Sequence, residues 1–399
     1  MKISHLILIL LWLSISIFSY WAENYWVDAI FATAIFVALI QSSNEKSSVN
    51  VMFISGFGTF LFFPAILNGY IYGVSFSMYY ATSLVAFYFI IKTKDLIYCG
   101  QVGRTTYQAI IFLVYTLLLL VTSSIGNYSL YVLAPFVLFY IINLERGRIL
   151  KNIFITSVFL SAYSYYLLYG WNGMGRVASL GPLLVAVLYI CYIFKLPVSK
   201  YLFAIGPSLG SAALIGRKNL FADFDIYKFL DDSAFGPYRL ASTFIENYLK
   251  NGPDLRGLVD QVVFSLLSFV PRDLWLSKPY GFGFQYTIEN LDQYLIDAGH
   301  SIASTLIGDH IYYIGWWGIL TGFMMIVVVV RLCHLFYYFR PLNGNGVILF
   351  SSNMMVFVWG GMTSLSARVI YPMLGILPLV LLYYLHKRIV TPAVTGGRL

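Results

Sequence analysis

The sequence predicts an all-α, polytopic integral membrane protein with about twelve transmembrane helices. The 399 residues are 59% hydrophobic and only 11% charged, and the mean hydropathy is +0.77. A soluble domain has a charged fraction near one quarter, so this chain could not cover its apolar side chains in water. A bilayer span takes about 20 apolar residues, and about twelve spans would account for the hydrophobic fraction. These observations exclude a soluble enzyme, a disordered regulator and a protein held by a single anchor.

The first apolar segment, residues 3–20, predicts a retained helix rather than a cleaved signal. Only Lys2 precedes it, no small-residue cleavage pattern ends it, and Trp21 and Glu23 follow directly. Eight further spans are expected before a long polar interval, and three after it. Their predicted ranges are 26–41, 51–67, 74–91, 107–123, 128–143, 152–169, 177–194, 200–215, 314–333, 346–363 and 370–386.

The distribution of Lys and Arg predicts that both termini are cytoplasmic. In that orientation 15 of the 25 cations lie on the cytoplasmic side. Eight of the others lie in the interval 216–313, which is too long for the positive-inside rule to count. The short outer loops then carry only Arg176 and Arg368. The opposite orientation would place the fifteen cations outside, so we expect the 216–313 interval to be extracytoplasmic.

The chain therefore divides into three parts. Residues 1–215 carry transmembrane helices 1–9, residues 216–313 form a large periplasmic loop, and residues 314–399 carry helices 10–12 and a cytoplasmic tail. The loop holds 12 of the 17 acids and has a formal charge of −4. Amphipathic helices are expected in it over residues 255–269, where apolar residues recur at helical spacing, and over residues 287–298. The first of these is apolar enough to lie at the membrane surface or to re-enter the membrane.

Two motifs in this loop carry a family resemblance. Residues 268–279 read SFVPRDLWLSKP, and residues 306–315 read LIGDHIYYIG, with Gly318 shortly after them. A weaker third motif, GMGRV, occupies residues 173–177. Their content and order resemble those of bacterial oligosaccharide repeat-unit polymerases, the O-antigen polymerase (Wzy-type) membrane proteins. In two respects the chain departs from that family, since the loop is net negative and Asp309 replaces the commoner Glu.

The resemblance implies a GT-C-like fold and a glycosyltransferase activity. Such proteins transfer a growing glycan onto the sugar end of an incoming undecaprenyl-diphosphate-linked repeat unit, at the periplasmic face of the bacterial inner membrane. The product is O-antigen or a related surface polysaccharide, and lipopolysaccharide is one destination. No nucleotide sugar, cofactor or metal is implied. The expected partners are the lipid-linked substrates, the bilayer, a chain-length regulator and a flippase. The scattered basic residues do not predict nucleic-acid binding.

Within the resemblance, cations are expected to bind the departing diphosphate, because forked guanidinium groups stabilise phosphate charge well. Arg272 and Lys278 are the first candidates, and Arg176 and Arg239 are further ones. Two structural alternatives stay open at this point. Arg272 would then pair with a nearby acid and shape the loop, and Arg176 would contact ordinary lipid phosphates.

The acceptor hydroxyl is a weak nucleophile, so a general base is expected near it. Asp309 is the first candidate, and His300 and His310 are the alternatives. Aromatic side chains in and beside the motifs are expected to stack on sugar rings or to join the interfacial aromatic belt. The residues assigned to sugar binding are Trp275, Tyr280 and Tyr312.

Three functions remain open from the sequence. A polymerase is favoured by the signature in residues 268–279. An O-antigen ligase, which would pass the glycan to lipid A core, is the near neighbour. A non-enzymatic twelve-helix transporter or flippase is the alternative from another class. An ion-coupled carrier usually needs an ionisable residue inside a span. The interiors of the predicted spans contain no obvious acid, since Asp28 lies close to an outer end.

Overall fold

The computed structural model describes the chain in several stretches. They are residues 11, 14, 18, 24–43, 45–66, 108–125, 129–170, 176–213, 236–268, 270, 272–291, 293, 301–337 and 345–390. All regular elements in these stretches are helices and none is a strand, which confirms the all-α prediction. The predicted span at 74–91 lies outside the described residues, as does His300.

Seven described helices precede the long loop. They are α1 Tyr25–Ser42, α2 Ser48–Phe57 with a π-helical continuation Gly58–Phe62, α3 Gln108–Ser123, α4 Ser129–Asn143, α5 Ile149–Tyr165 with a π-helical continuation Tyr166–Gly170, α6 Arg176–Phe194 and α7 Lys200–Ala213. Six more follow. They are α8 Gly236–Asn251, α9 Leu255–Leu267, α10 Phe282–Asn290, α11 Gly308–Ile314, α12 Trp317–Tyr337 and α13 Gly346–Val390.

Four stretches of these helices are long and apolar enough to cross a membrane. By length and composition they are Ser48–Ile66, Ile149–Gly170, Val177–Phe194 and Gly346–Leu374, the last of which contains a turn at Gly360 and Gly361. Shorter apolar helices overlap other predicted spans at Ala32–Gln41, Ala109–Ser123, Ser129–Asn143 and Trp317–Cys333. The described part of the chain is therefore that of a helical membrane protein.

The centre of the bundle is formed by α2 and the first part of α13. In each, 89% of the apolar window is buried inside the protein, whereas the window of α5 is only 28% buried. Small residues let α2 and α13 approach closely, because a Cβ on Gly56 would lie 2.9 Å from a methyl carbon of Val358. The hydroxyls of Ser48 and Ser351 are 2.7 Å apart at the same contact. These two segments therefore form the core, and α5 lies at the periphery.

The helix α13 folds back on itself at Gly360 and Gly361, whose backbone angles are not helical. The side-chain amide of Asn353 donates to the carbonyl of Arg368 at 3.3 Å. In a continuous helix these residues would be about 22 Å apart. Residues 346–359 and 362–390 are therefore two arms of a hairpin. Gly361 permits the turn because its φ is +69°, in the region that favours glycine.

This turn corrects the predicted boundary between the last two spans. The sequence places the connection in a short loop that carries Arg368, whereas the structure places it at Gly360 and Gly361, within an apolar run. Arg368 consequently lies in the second arm of α13 and not in a loop. The reversal depends on glycine conformation rather than on polarity, so hydropathy does not locate it.

The first predicted loop helix is confirmed, and the second is described only in part. The helix α9 begins after Asp254, whose carboxylate accepts from the backbone N–H of Gly257 at 2.9 Å, and it ends at Leu267. The helix Phe282–Asn290 overlaps the start of the second predicted segment, residues 287–298, and the backbone of Leu291 is extended. Gln293 is helical, and residues 292 and 294–298 lie outside the described residues. Phe282 also anchors the helix start by packing its ring against Phe244, with the centroids 5.4 Å apart.

The helix α9 has an inverted amphipathic pattern. Its buried side chains are polar, namely Gln261 and Ser265. Its outward face is an apolar stripe that repeats every three to four residues, and these side chains are exposed: Leu255, Val259, Val262 and Leu266. A helix in water would present the opposite arrangement. The pattern favours contact between this face and lipid.

Candidate functional site

The two cations of the signature loop, residues 268–281, donate hydrogen bonds to backbone carbonyls of the same loop. Lys278 is only 8% exposed, and its ammonium donates to the carbonyls of Ser268 at 2.6 Å and Val270 at 2.7 Å. These carbonyls directly follow the C-terminus of α9, where a cation is stabilised by the helix dipole. Burial lowers the pKa of Lys278, and the neighbouring Arg272 charge lowers it further. Lys278 therefore caps the helix that precedes the loop.

Arg272 closes the same loop from the other side. Its Nη1 donates to the carbonyl of Lys278 at 2.7 Å, and its Nη2 donates to the carbonyl of Pro279 at 3.1 Å. The guanidinium carbon lies 3.8 Å from the centre of the Tyr280 ring, which is a cation–π contact. The structural partners of Arg272 are thus backbone carbonyls and an aromatic ring, rather than the acid that the alternative interpretation proposed.

The tip of the signature loop is apolar and exposed. Leu274 is 80% exposed and Leu276 is 89% exposed. Trp275 lies between them, half-buried, and its indole N–H donates to the hydroxyl of Ser277 at 3.1 Å. The tip continues the lipid-facing pattern of α9. Trp275 and Tyr280 therefore lie at the edge of this loop, where a lipid or a sugar can contact them.

The second motif forms α11 and buries its acid. Asp309 is 2% exposed, and its Oδ1 accepts from the backbone N–H of His310 at 3.0 Å. Its Oδ2 faces the turn of α13, since a Cβ on Gly361 would lie 3.3 Å from it. The backbone N–H of Thr305 donates to the carbonyl of Trp359 at 2.9 Å, which fixes the end of the loop to the same turn.

Burial raises the pKa of Asp309 above its ordinary value, although His310 and nearby backbone N–H groups oppose the shift. A carboxylate with a raised pKa is a stronger proton acceptor than an ordinary one. Its conjugate acid is also easier to form near neutral pH. This environment is compatible with the predicted role of Asp309 as a general base.

His310 is buried beside Asp309 and contacts the next helix. Its Nδ1 lies 3.0 Å from the hydroxyl of Thr321 on α12. The motif glycine Gly318 explains how α12 approaches so closely, because a Cβ there would lie 2.5 Å from the backbone of His310 and Ile311. The glycines in this motif thus serve helix packing, and the packing positions the imidazole.

Tyr312 belongs to an aromatic cluster between α8, α10 and α11. Its ring packs edge-to-face against neighbouring aromatic rings whose centroids lie within 6 Å: Phe244, Phe282, Tyr286 and Tyr313. Its hydroxyl donates to Glu289 at 3.1 Å. The ring is therefore a structural element of this cluster, and its hydroxyl is engaged with Glu289.

Gln261 joins the two motifs, and the sequence analysis did not identify it. Its side-chain N–H donates to the carbonyl of Tyr280 at 3.2 Å and to the hydroxyl of Tyr313 at 3.3 Å. Tyr371 of α13 adds a second connection by donating to the carbonyl of Ser268 at 3.0 Å. The signal for Gln261 was a single amide within an apolar helix. Tyr371 carried no signal, because it lies far away in the sequence.

Three predicted site residues are not positioned by these contacts. Arg176 is the first residue of α6 and Arg239 lies in α8, but the structure does not describe their side chains. His300 lies outside the described residues. Their roles stay predictions. Among the residues that the structure describes, no group of three or more His, Cys, Asp or Glu side chains is arranged to hold a metal ion.

The site thus combines a buried carboxylate and imidazole with a cation-braced loop at an apolar surface. Such an arrangement can accept a proton from a hydroxyl and place positive charge beside an anionic leaving group. No protein-family model, curated protein or solved structure matches the chain.

Proposed function

We propose that this chain is a membrane glycosyltransferase that polymerises undecaprenyl-diphosphate-linked oligosaccharide repeat units. Asp309 removes the proton from the acceptor hydroxyl, whose oxygen attacks the anomeric carbon of the donor glycan. The bond from that carbon to the diphosphate breaks, and undecaprenyl diphosphate leaves with the electron pair. The observation that carries the proposal is the burial of Asp309, with its raised pKa, in a motif tied through Tyr313 and Gln261 to the signature loop.

The signature loop would place positive charge beside the diphosphate. Arg272 and Lys278 donate to backbone carbonyls, and neither bond of Arg272 uses its Nε–H group. We infer that both residues first shape the loop and that their remaining N–H groups contact the substrate. This account combines the diphosphate role and the structural role that the sequence left open.

The substrate is a lipid, so the site is expected to lie near the outer leaflet. The apolar stripe of α9 and the exposed Leu274 and Leu276 support the insertion of α9 and the signature loop into lipid. Tyr371, which contacts the loop, is ten residues beyond Gly361 and thus about 15 Å along the second arm of α13. The loop would then bring its cations to the substrate from within the outer leaflet.

Twelve spans, cytoplasmic termini and an inner-membrane location complete the proposal, together with a GT-C-like arrangement. The cation distribution supports this orientation. A variant whose single cysteine is at position 233, within the long loop, tests it. An impermeant thiol reagent should label that cysteine in intact spheroplasts. Labelling only after lysis, at a site shown to be reactive, would reverse the orientation.

Deleting the gene in its native host tests the function itself. Loss of a polymerase leaves single repeat units on the surface acceptor, which a polysaccharide gel resolves. Loss of a ligase leaves no repeat unit on the acceptor, and loss of a flippase also traps units inside the cell. Complementation with wild type should restore the polymer, and complementation with Asp309→Asn should not. A matched control is Glu246→Gln, which removes an exposed carboxylate on α8.

A further inference from the structure

Arg368 is a partly buried cation in the second arm of α13, and much of its hydrogen-bonding capacity is unused. Its Nη1 donates to the carbonyl of Ser364 at 2.9 Å, one helical turn earlier. Its Nε is buried and has no hydrogen-bond partner among the residues that the structure describes. Among described groups, the titratable neighbours that act on it are Tyr131 and Tyr166, and no carboxylate is one of them. The guanidinium therefore has no counter-ion within the described part of the chain.

A guanidinium in this position is expensive for a membrane protein to keep. Arginine remains charged under all ordinary conditions. A charged side chain inside a span is rare and usually marks a functional site with a specific partner. A buried donor without a partner also costs stability. An anion bound at the Nε edge would satisfy both the charge and the donor.

A short series of contacts connects Arg368 to the signature loop. Tyr131, beside the guanidinium, has its ring 4.8 Å from the ring of Tyr371. Tyr371 donates to the carbonyl of Ser268, which also accepts from the ammonium of Lys278. Two tyrosine side chains thus connect Arg368 to the loop that is proposed to receive the diphosphate.

We propose that Arg368 binds the diphosphate of the lipid-linked substrate through its Nε edge, which is the edge of a guanidinium that can grip phosphate oxygens in a bidentate manner. This assignment rests on the proposed function and adds a residue without motif support to its site. Arg272 and Lys278 are engaged with carbonyls. Arg368 is a described cation whose buried Nε–H donor has no hydrogen-bond partner among the described residues.

Binding to the intact, purified protein in lipid nanodiscs tests the assignment. Undecaprenyl diphosphate and the uncharged undecaprenol are compared as ligands by native mass spectrometry. Wild type should prefer the diphosphate at least about tenfold, since one charge-assisted contact is worth about a factor of ten. Arg368→Gln should lose most of this preference, and Arg368→Lys should keep part of it, because lysine retains the charge but not the fork.

Arg256→Gln is the matched control, since Arg256 is exposed on α9. It should bind as wild type does. An unchanged preference in Arg368→Gln would overturn the assignment. If that variant does not fold, an undiminished preference in Arg368→Lys would overturn it instead, and a reduced one would support it.

A second arm separates the diphosphate from an ordinary lipid headgroup. Inorganic pyrophosphate should compete with undecaprenyl diphosphate on wild type, and phosphatidylglycerol at equal concentration should compete poorly. Equal competition by phosphatidylglycerol would identify a headgroup site and contradict the diphosphate assignment. The proposed function is scored separately by polymer formation. A protein that binds through Arg368 yet makes no polymer would keep the anion site and refute the polymerase.

Discussion

The signature loop and the turn of α13 handle their ionisable residues in opposite ways. In the loop, Arg272 and Lys278 donate to backbone carbonyls and so brace the chain, and the apolar tip faces outward. At the turn, Asp309 is buried against Gly361, and further along the second arm Arg368 is partly buried beside two tyrosines. The strongest sequence motif thus supplies the residues that build the site. Arg368, whose Nε–H donor has no partner among the described residues, lies in no motif.

The largest effect is expected at the turn, from Asp309→Asn. This change preserves size and removes the proton acceptor, so polymer synthesis should fall by about 10²–10⁴-fold without loss of folding. Lipid-linked repeat units counted by gel ladder, with protein level measured in parallel, provide the test. Normal polymer from this variant, together with inactive His300→Gln or His310→Gln, would transfer the base to histidine.

The pH dependence of polymer synthesis and of stability should also reflect the ionisation of Asp309. Burial raises the pKa of Asp309 above 3.8. As the solution is acidified, activity should therefore begin to fall at a higher pH than it would with an ordinary carboxylate. Stability should change in the opposite sense. The contribution of this group is fully present below 3.8 and is lost as pH rises through the raised pKa. Thermal unfolding scans of wild type and Asp309→Asn should differ in this window, and parallel curves would contradict the assignment.

In the loop, Lys278→Met is expected to give the largest loss of stability. It removes two charge-assisted hydrogen bonds, to Ser268 and Val270, from a buried position. The free energy of unfolding should fall by about 2–3 kcal/mol. Thermal unfolding in detergent measures it against Lys250→Met, which removes an exposed lysine at the end of α8. Equal stability of the two variants would show that Lys278 does not brace the loop.

A smaller effect is expected from Arg272→Lys. Lysine keeps the charge but cannot donate to the carbonyls of Lys278 and Pro279 together, and it stacks less well on Tyr280. Polymer synthesis should fall by about tenfold, the value of one charge-assisted hydrogen bond. Arg256→Lys should leave synthesis unchanged. Full activity in Arg272→Lys would show that charge alone matters at this position.

The smallest effect sharpens the connection between the two regions. Tyr371→Phe removes only the hydroxyl that contacts the carbonyl of Ser268, and that carbonyl keeps its bond from Lys278. The stability should fall by about 1 kcal/mol. Thermal unfolding of Tyr201→Phe, which alters an exposed tyrosine on α7, sets the background. A loss no greater than this background would indicate that the arm of α13 and the loop are not coupled through Tyr371.

The sequence predicted features that depend on local pattern. The all-helical class follows from hydropathy, and the extent of α9 follows from its apolar spacing between Asp254 and Pro271. The burial of Asp309 could not be predicted, because it depends on packing against Gly361, which lies 52 residues further along the chain. The turn at Gly360 was missed for a different reason, since two glycines within an apolar run do not interrupt hydropathy.

The roles of side chains were harder to predict than their positions in the fold. Lys278 reads as a substrate contact from its motif, but its ammonium reaches back to cap α9, and sequence spacing does not reveal the direction of a long side chain. Gln261 links Tyr280 and Tyr313 across segments that are far apart in the chain. Such contacts arise only once the loop has folded against the bundle.

The most direct test of the proposed function is synthesis by the purified protein. Wild type in lipid nanodiscs receives one chemically defined repeat unit linked to undecaprenyl diphosphate, with no nucleotide sugar and no other protein. The account predicts a ladder of products that differ by one repeat unit, made equally by Glu246→Gln and absent with Asp309→Asn. Two results would contradict the proposed function. One is the absence of a ladder from correctly folded wild type supplied with its own host's repeat unit, and the other is an undiminished ladder from Asp309→Asn.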